Sequence, residues 1–536
     1  MKFSSRLLLA ILVLFVAIGI ACRIEHIERR SFWTDESWTA LRLSGHTYAQ
    51  VRSIFDGRIH TAGQIMALQK PTGTVAETVA ELAREEPQHP PAFYVLAHYW
   101  SRLMGGTPAA IRALALTFGL LAIVAVYQLC MEINGSRAGA VAASALMAVS
   151  PFFVDYAGQA REYTMWAALT AYSSTLLLRA LRSGTRKAWF WYGGIMVLGL
   201  YSAVLMAFVL LGHGLYVACR YLHDRRVLVA FGCAATASVA LFAPWIAFAV
   251  DAHARMSSSN EWLFTPYPVR IVAEKWLFNA GSVLFDAEYA NLRLIPIAGA
   301  MLLVVLAGCV AFFREERHRS KWLLAAVGGA IALPQIAVDL AAHGHESTIA
   351  RYMVPLWLVM LIGLGLFLGR RIERPSGALS VTWIAVLCGV LAVASASSVV
   401  NSSAIGWWDN NDDYPWTKMA AEINVTDHPL VVSEGHWAAV LVMSHYVKPD
   451  TRFLLFTSVP TSLPLTQNAF LLAPSQRIAD ALQRRYKFRV VPIRPYTQAS
   501  AAVAKFHDAL DSAGPRAGGE LGHAFLARFV RPVAVR

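Results

Sequence analysis

Residues 109–131 read AAIRALALTFGLLAIVAVYQLCM, a run with a single charged side chain, Arg112, near its start. A helix rises about 1.5 Å per residue, so about 20 apolar residues cross the ~30 Å hydrocarbon core of a bilayer. The run is a transmembrane segment, and it is one of many. Toward the N-terminus, Leu7–Ile24 is apolar up to Arg23 and lies after Lys2 and Arg6. It is long for the apolar part of a signal peptide, and more spans come after it, so it reads as an uncleaved first helix. Toward the C-terminus come Ala138–Val154, Tyr163–Leu181, Ala188–Ser202, Val204–Cys219, Val227–Val250, Leu294–Phe313, Trp322–Ala342, Tyr352–Gly369 and Ala378–Val400, eleven spans in all. Pro91–Met104 is too short to span, and its Tyr94, Tyr99 and Trp100 suit an interfacial helix.

Composition agrees. Of 536 residues, 56% are hydrophobic and only 15% charged, against about 25% charged in soluble domains. The mean hydropathy is +0.46. Disordered, collagenous and disulfide-scaffold classes are excluded, and a simple soluble enzyme does not fit. The net charge of +13, from 47 basic against 34 acidic residues, brings no zinc-finger spacing or basic run interleaved with aromatics. It fits a membrane protein that collects Lys and Arg in cytoplasmic loops. The cysteines, Cys22, Cys130, Cys219, Cys233, Cys309 and Cys388, all lie in apolar segments. That pattern argues against disulfides and CxxC metal sites.

Charge also sets the expected topology. With the N-terminus cytoplasmic, inner loops and their edges hold Arg179/Arg182/Arg186/Lys187, Arg220/Arg225/Arg226, Arg314/Arg317/Arg319/Lys321 and Arg370/Arg371/Arg374, while short outer loops hold few cations, such as Arg161 and Arg351. Making Pro91–Met104 a span would reverse this bias. Three long segments then face outward: 25–108, 251–293 and the tail 401–536. The expected domains are 1–400, transmembrane, and 401–536, extracytoplasmic. The tail alternates β-rich runs (Leu430–Val432, Arg452–Phe456, Ala469–Leu472, Phe488–Pro492, Ala524–Val530) with helical patterns (Trp437–Tyr446, Ser475–Tyr486, Ala501–Leu510). This predicts an α/β domain.

Four groups of residues could carry chemistry. Phe32-Trp33-Thr34-Asp35-Glu36-Ser37-Trp38-Thr39 sets two carboxylates between aromatics, about ten residues past the first span. A carboxylate there could accept the proton of an attacking hydroxyl or amine. The structural alternative is a helix start, with Thr34 as cap and the acids on the dipole. In Gln88-His89-Pro90-Pro91 the prolines end one helix and pre-set the next, holding His89 where it could donate to a phosphate; an ordinary solvated histidine is the alternative. After the third span, Asp155, Tyr156, Arg161 and Glu162 flank a short turn. Ionisable groups at a membrane edge are costly unless paired or functional. In His343-Gly344-His345-Glu346-Ser347-Thr348-Ile349-Ala350-Arg351-Tyr352-Met353-Val354-Pro355, Arg351 offers a fork of donors to a phosphate or else snorkels. His343 and His345 are too close for common helical metal ligation. No P-loop or Rossmann glycine fingerprint is present.

Taken in order, Asp35-Glu36, His89-Pro90-Pro91, Pro151…Tyr156…Arg161-Glu162-Tyr163 and Arg351-Tyr352…Pro355 resemble the GT-C superfamily of polytopic membrane glycosyltransferases. The branch resembled is that of the protein O-mannosyltransferases and the lipid A aminoarabinose transferase. The resemblance covers roughly residues 1–370. It implies a GT-C-like α-helical polytopic membrane protein of about eleven transmembrane helices, with a C-terminal extracytoplasmic α/β domain. It implies an integral protein of the bacterial inner (plasma) membrane whose active site faces the outer, periplasmic side. The implied reaction is an inverting, general-base transfer of a sugar from a polyprenyl-phosphate donor to a glycan, lipid or protein acceptor, with no nucleic-acid partner. The implied catalytic residues are Asp35 as base, Glu36 orienting it or the acceptor, and Asp155 as a second acid. Donor phosphate would fall to His89, Arg161, Arg351 and Tyr352, with Tyr156 and Glu162 in acceptor or supporting parts. Where relatives often carry Gln-Glu-Ala-Arg, this chain has Gly158-Gln159-Ala160-Arg161, so Gln159 replaces a carboxylate that Glu162 could make good. No cofactor is implied, no metal ligands are assigned, and a divalent metal is left open. Two other readings compete. A secondary transporter would show inverted repeats and charge near the midplane. A glycan polymerase or ligase without a polyprenyl-phosphate sugar donor is set apart only by the motifs.

Overall fold

The computed structural model describes residues 2–252, 267–286, 292–373, 377–405, 416–458, 468–472, 481, 484, 489–492 and 526–530. The chain divides into two compact units: Met1–Arg30, Leu82–Trp100 and Ala109–Ala404 form the first; Ser31–Glu81, Ser101–Pro108 and Ile405–Arg536 form the second. This division differs from the expected boundary at residue 400, because much of the first outer segment belongs to the same unit as the tail.

The first unit is helical. Among the described residues, six helical stretches are long and apolar enough to cross a membrane: Pro108–Asn134, Arg225–Asp251, Ile295–Glu315, Lys321–Ala342, Ala350–Glu373 and Leu379–Ser403. The pair Arg137–Val149 and Pro151–Ala157, bent by 60°, makes a seventh if it forms one span. These helices make the chain an integral membrane protein. The other expected spans fall on the helices Lys2–Arg29, Tyr163–Ser183, Arg186–Leu200 and Met206–Tyr221. The interfacial segment is a helix over Ala92–Met104. Its Tyr99 is exposed, and Tyr94 is fully buried inside the protein.

The bend at Ser150 has a local cause. A residue before proline is steered out of the helical region, and Ser150 is extended at φ −65°, ψ 120°, while Pro151 opens the next helix. The broken end leaves orphan carbonyls. Fully buried Arg23, on the first helix, takes them up, donating to Ala148 and at 3.1 Å to Met147. An intramembrane arginine is thus satisfied by a helix C-terminus, where the dipole favours a cation. The helix Val354–Glu373 lies close against Arg137–Val149 because of two glycines. A Cβ at Gly365 would come within 2.5 Å of Ala143 Cα, and one at Gly369 within 2.1 Å of Gly139 N. Small residues permit such close helix approach in membranes.

The second unit holds a six-stranded mixed sheet of strands β1 (Asp56–Thr61), β2 (Leu430–Glu434), β3 (Arg452–Phe456), β4 (Ala469–Leu472), β5 (Arg489–Pro492) and β6 (Leu526–Val530), in the order β1-β3-β2-β4-β6-β5. Strand β2 pairs in parallel with β3 and β4, and β1 closes the edge antiparallel to β3, with Ile59 opposite Leu454. Alternate residues Val431, Phe453, Leu455, Phe470 and Leu472 point into a core shared with Leu41, Val51, Trp416 and Ile423. The residues between them, Val432, Leu454 and Leu471, are buried as well, so these central strands are covered on both faces. The helical patterns predicted over Ser475–Tyr486 and Ala501–Leu510 lie largely outside the described residues.

Candidate active site

Three polar groups gather in the helical unit. The first forms where the first helix ends. Arg112 donates to the carbonyls of Ile27 and Arg30, each at 2.9 Å, and so caps that end. Arg30 then reaches Asp155 on the helix Pro151–Ala157, Nη2 to Oδ1 at 2.8 Å, with side chains 1% and 3% exposed. Gln159 Nε2 donates to the other oxygen of Asp155 at 2.8 Å. Asp155 is therefore a buried, paired carboxylate. Gln159 thus supplies an amide donor to it. Arg30 was not singled out in the sequence; its one signal there is a cation six residues past the first apolar run and six before Glu36.

The second group unites three predicted residues. His89 lies 3.0 Å from Glu162, Nδ1 to Oε1, and Arg161 Nη2 lies 3.0 Å from His89 Nε2. These contacts fit an imidazole protonated at Nδ1 that donates to Glu162 and accepts from Arg161. Arg161 Nε is 3.6 Å from the other Glu162 oxygen. Burial alone would raise the Glu162 carboxyl, but Arg161 and His89 outweigh it and hold the group down at about 2. His89 lies between the helix Val75–Glu85 and the helix that starts at Ala92 after the two prolines, and Trp245 Nε1 fixes this stretch by donating to the Pro87 carbonyl at 2.8 Å. Tyr94 is buried alongside. Burial pushes its phenol well above the ordinary range, with the Arg161 charge opposing. Tyr156 is buried in an aromatic stack, 4.6 Å from Phe152 and 5.2 Å from Tyr163 between ring centroids.

The third group is the turn that holds Arg351 and Tyr352. Asp339 closes the helix Lys321–Ala342 and accepts the backbone N–H of Glu346 at 2.8 Å and of Ser347 at 2.7 Å. The helix Val269–Ser282 clamps the turn from another side: Trp276 Nε1 donates to Ser347 Oγ at 3.1 Å, and Asn279 Nδ2 to the Thr348 carbonyl at 2.6 Å. The Arg351 guanidinium stands 5.6 Å from the Tyr352 ring centroid. Tyr267 stacks on His345 at 4.1 Å, nearly parallel, and Lys275 lies 5.1 Å above the Tyr267 ring. Sequence reasoning missed Lys275, which no motif marked. His343 adopts φ 55° and is exposed while His345 is buried, so the two do not converge. Among the described residues, no three His, Cys, Asp or Glu side chains are placed to hold a metal ion.

Asp35 and Glu36 belong to the second unit, in the first turn of the helix Thr34–Ser44. The N-cap is Trp33, and Thr34 lies inside the helix, so Thr34 does not cap as the structural alternative required. Tyr446 anchors the approach to this helix: its hydroxyl bonds both the N–H and the carbonyl of Phe32, the latter at 3.0 Å. Glu36 is buried at 1% exposure, whereas Asp35 is partly exposed. Of the two, Asp35 is the one an external reactant can reach.

The comparisons with known proteins agree with this architecture. A family model for dolichyl-phosphate-mannose-protein mannosyltransferase matches residues 88–248, the stretch with His89, Asp155, Arg161 and Glu162. The fold is similar to the crystal structure of ArnT from Cupriavidus metallidurans bound to undecaprenyl phosphate, at 14% identity over 89% of this chain and 95% of that one, with a TM-score of 0.52. The apo state of the same protein gives 13% identity, 90% and 96% coverage and 0.50. The Archaeoglobus fulgidus oligosaccharyltransferase in its apo form gives 14% identity and 0.50 over 84% of this chain, which spans 64% of that protein's length. No curated protein matches the chain in sequence. The chain thus resembles the GT-C membrane glycosyltransferases, in the branch of ArnT and the protein mannosyltransferases.

Proposed function

We propose that the protein transfers a sugar from a polyprenyl-phosphate donor to an acceptor at the outer face of the membrane. The observation that carries this reading is the cluster of half-buried His89 with buried Arg161 and Glu162, which falls inside the stretch matched by the mannosyltransferase model. Its setting among apolar helices supports the same reading, since a polyprenyl tail dissolves only in the bilayer while the sugar phosphate needs a polar edge. The topology proposed with it has eleven spans and a cytoplasmic N-terminus, in a bacterial inner membrane.

In the proposed reaction an acceptor hydroxyl or amine attacks the sugar's anomeric carbon. The bond from that carbon to the phosphate oxygen breaks, and its electron pair stays on the phosphate. Asp35 takes the acceptor's proton, with Glu36 orienting the helix turn that carries it. Because the attack is direct, the anomeric configuration inverts. Negative charge grows on the departing phosphate, and preorganised cations lower that barrier. Arg351 and Arg161 take this part, with Tyr352 and His89 beside them. Asp155, already held by Arg30, positions the neighbouring turn with Tyr156, and Glu162 sets the orientation of His89 and Arg161.

The test is Asp35→Asn, which keeps the shape and removes the basic oxygen. Sugar transfer from a polyprenyl-phosphate donor, in membranes with matched protein levels, should fall ~100- to 10,000-fold. Wild-type turnover would remove Asp35 from the mechanism.

A further inference from the structure

The cations of the helical unit differ in how they are compensated. Arg30 has Asp155, Arg161 has Glu162, and Arg23 has helix-end carbonyls. Lys275 has none of these. It is partly buried on the helix Val269–Ser282, its ammonium lies over the Tyr267 ring, and among the described residues no carboxylate comes within ion-pair distance. The acids around it are committed elsewhere. Glu274, next to it, pairs with Arg270 at 2.7 Å, and Asp339 takes the two backbone N–H groups of the turn. Glu346 carries a carboxyl pushed up by burial and by Asp339. The remaining charged or titratable neighbours on the packed turn are His345, stacked on Tyr267, and Arg351, a second cation. Burial, with Arg351 as the next cause, depresses the Lys275 ammonium to about 8.

A cation taken out of water beside another cation is costly, and an anion placed against it offsets that cost. We propose that Lys275, beside Arg351, is a phosphate-binding residue that takes the phosphate of the polyprenyl carrier. The proposal rests on the donor reading above and adds to it a cation from outside the motifs. Its chemistry suits the reaction: the donor is a phosphodiester with one negative charge, and the polyprenyl phosphate left behind carries nearly two at neutral pH. A second cation beside Arg351 favours the product side of that change. The flat face of Tyr267, braced by His345, holds the ammonium where it is.

The test measures binding of undecaprenyl phosphate to the full chain in nanodiscs, with inorganic phosphate in a parallel arm. Lys275→Met should weaken undecaprenyl phosphate about 10- to 100-fold, the range for a charge-assisted hydrogen bond, and Lys275→Arg should restore it. Both variants are first matched to wild type in ligand-free thermal unfolding. Lys275 loses its proton as pH rises past about 8, so wild-type affinity should fall between pH 7 and 9.5. Lys275→Arg, charged throughout, should stay flat, and a purely structural lysine would not produce that difference. Wild-type affinity in Lys275→Met, or the same pH profile in wild type and Lys275→Arg, would overturn the proposal. So would Lys275-dependent binding of inorganic phosphate alone, which would assign the site to a free phosphate. If undecaprenyl phosphate binding depends on Lys275 but wild type transfers no sugar, the phosphate site stands and the transferase reading fails.

Discussion

At the scale of single residues, the two adjacent acids Asp35 and Glu36 separate cleanly. Glu36 is sealed in and Asp35 is not, although the sequence presents them as a pair. Glu162 carries a prediction of its own. Its carboxyl sits at about 2 in the folded protein, against an ordinary value of 4.5, because Arg161 and His89 outweigh its burial. A depressed acid contributes stability that is fully present above the unfolded value and is lost as pH falls through the folded one. Glu162→Gln should therefore lower the thermal midpoint at pH 7. The gap from wild type should shrink as pH falls from about 4.5 toward 2. A gap that does not change across that window would show that the ion cluster does not stabilise the fold.

At the scale of elements, the helix Tyr163–Ser183 ends at Gly184, with basic Arg182 in its last turn and Arg186 and Lys187 just beyond. In the proposed topology, which follows the positive-inside pattern, this end is cytoplasmic. In a cysteine-free background, Ser183→Cys should stay unlabelled by an impermeant thiol reagent added from outside and react once the membrane is opened. Labelling from outside would invert the proposed topology. Apolar length and charge made most of these helices legible, and β3 and β4 match the predicted runs Arg452–Phe456 and Ala469–Leu472 residue for residue. The reason is physical: a short run bounded by polar residues has few other ways to bury its side chains. Lys275 and Arg30 were not legible. Their meaning depends on which acids lie nearby in space, and spacing along the chain does not carry that information. Strand β1 was missed for a similar reason. Asp56-Gly57-Arg58-Ile59-His60-Thr61 is polar and mostly exposed, and it is a strand because β3 offers it an edge.

At the scale of the molecule, that pairing means residues 401–536 do not close their own sheet. A chain ending at residue 400 keeps β1 but loses β3, its partner, and leaves the core around Leu41 and Val51 uncovered. Such a truncation should lose monodispersity in size-exclusion chromatography. A monodisperse product melting with the intact chain would contradict the shared unit. The reaction is the central claim, and one measurement tests it most directly. Purified protein is reconstituted in liposomes with a polyprenyl-phosphate donor carrying a labelled sugar and an extract of envelope glycolipids and glycans as acceptors. The account predicts that label leaves the donor for an acceptor, that polyprenyl phosphate accumulates in equal amount, and that Arg351→Ala lowers both together. If the donor stays intact with the wild-type protein, or if its label moves across the bilayer still attached to the lipid, the transferase account is contradicted and the transporter reading takes its place.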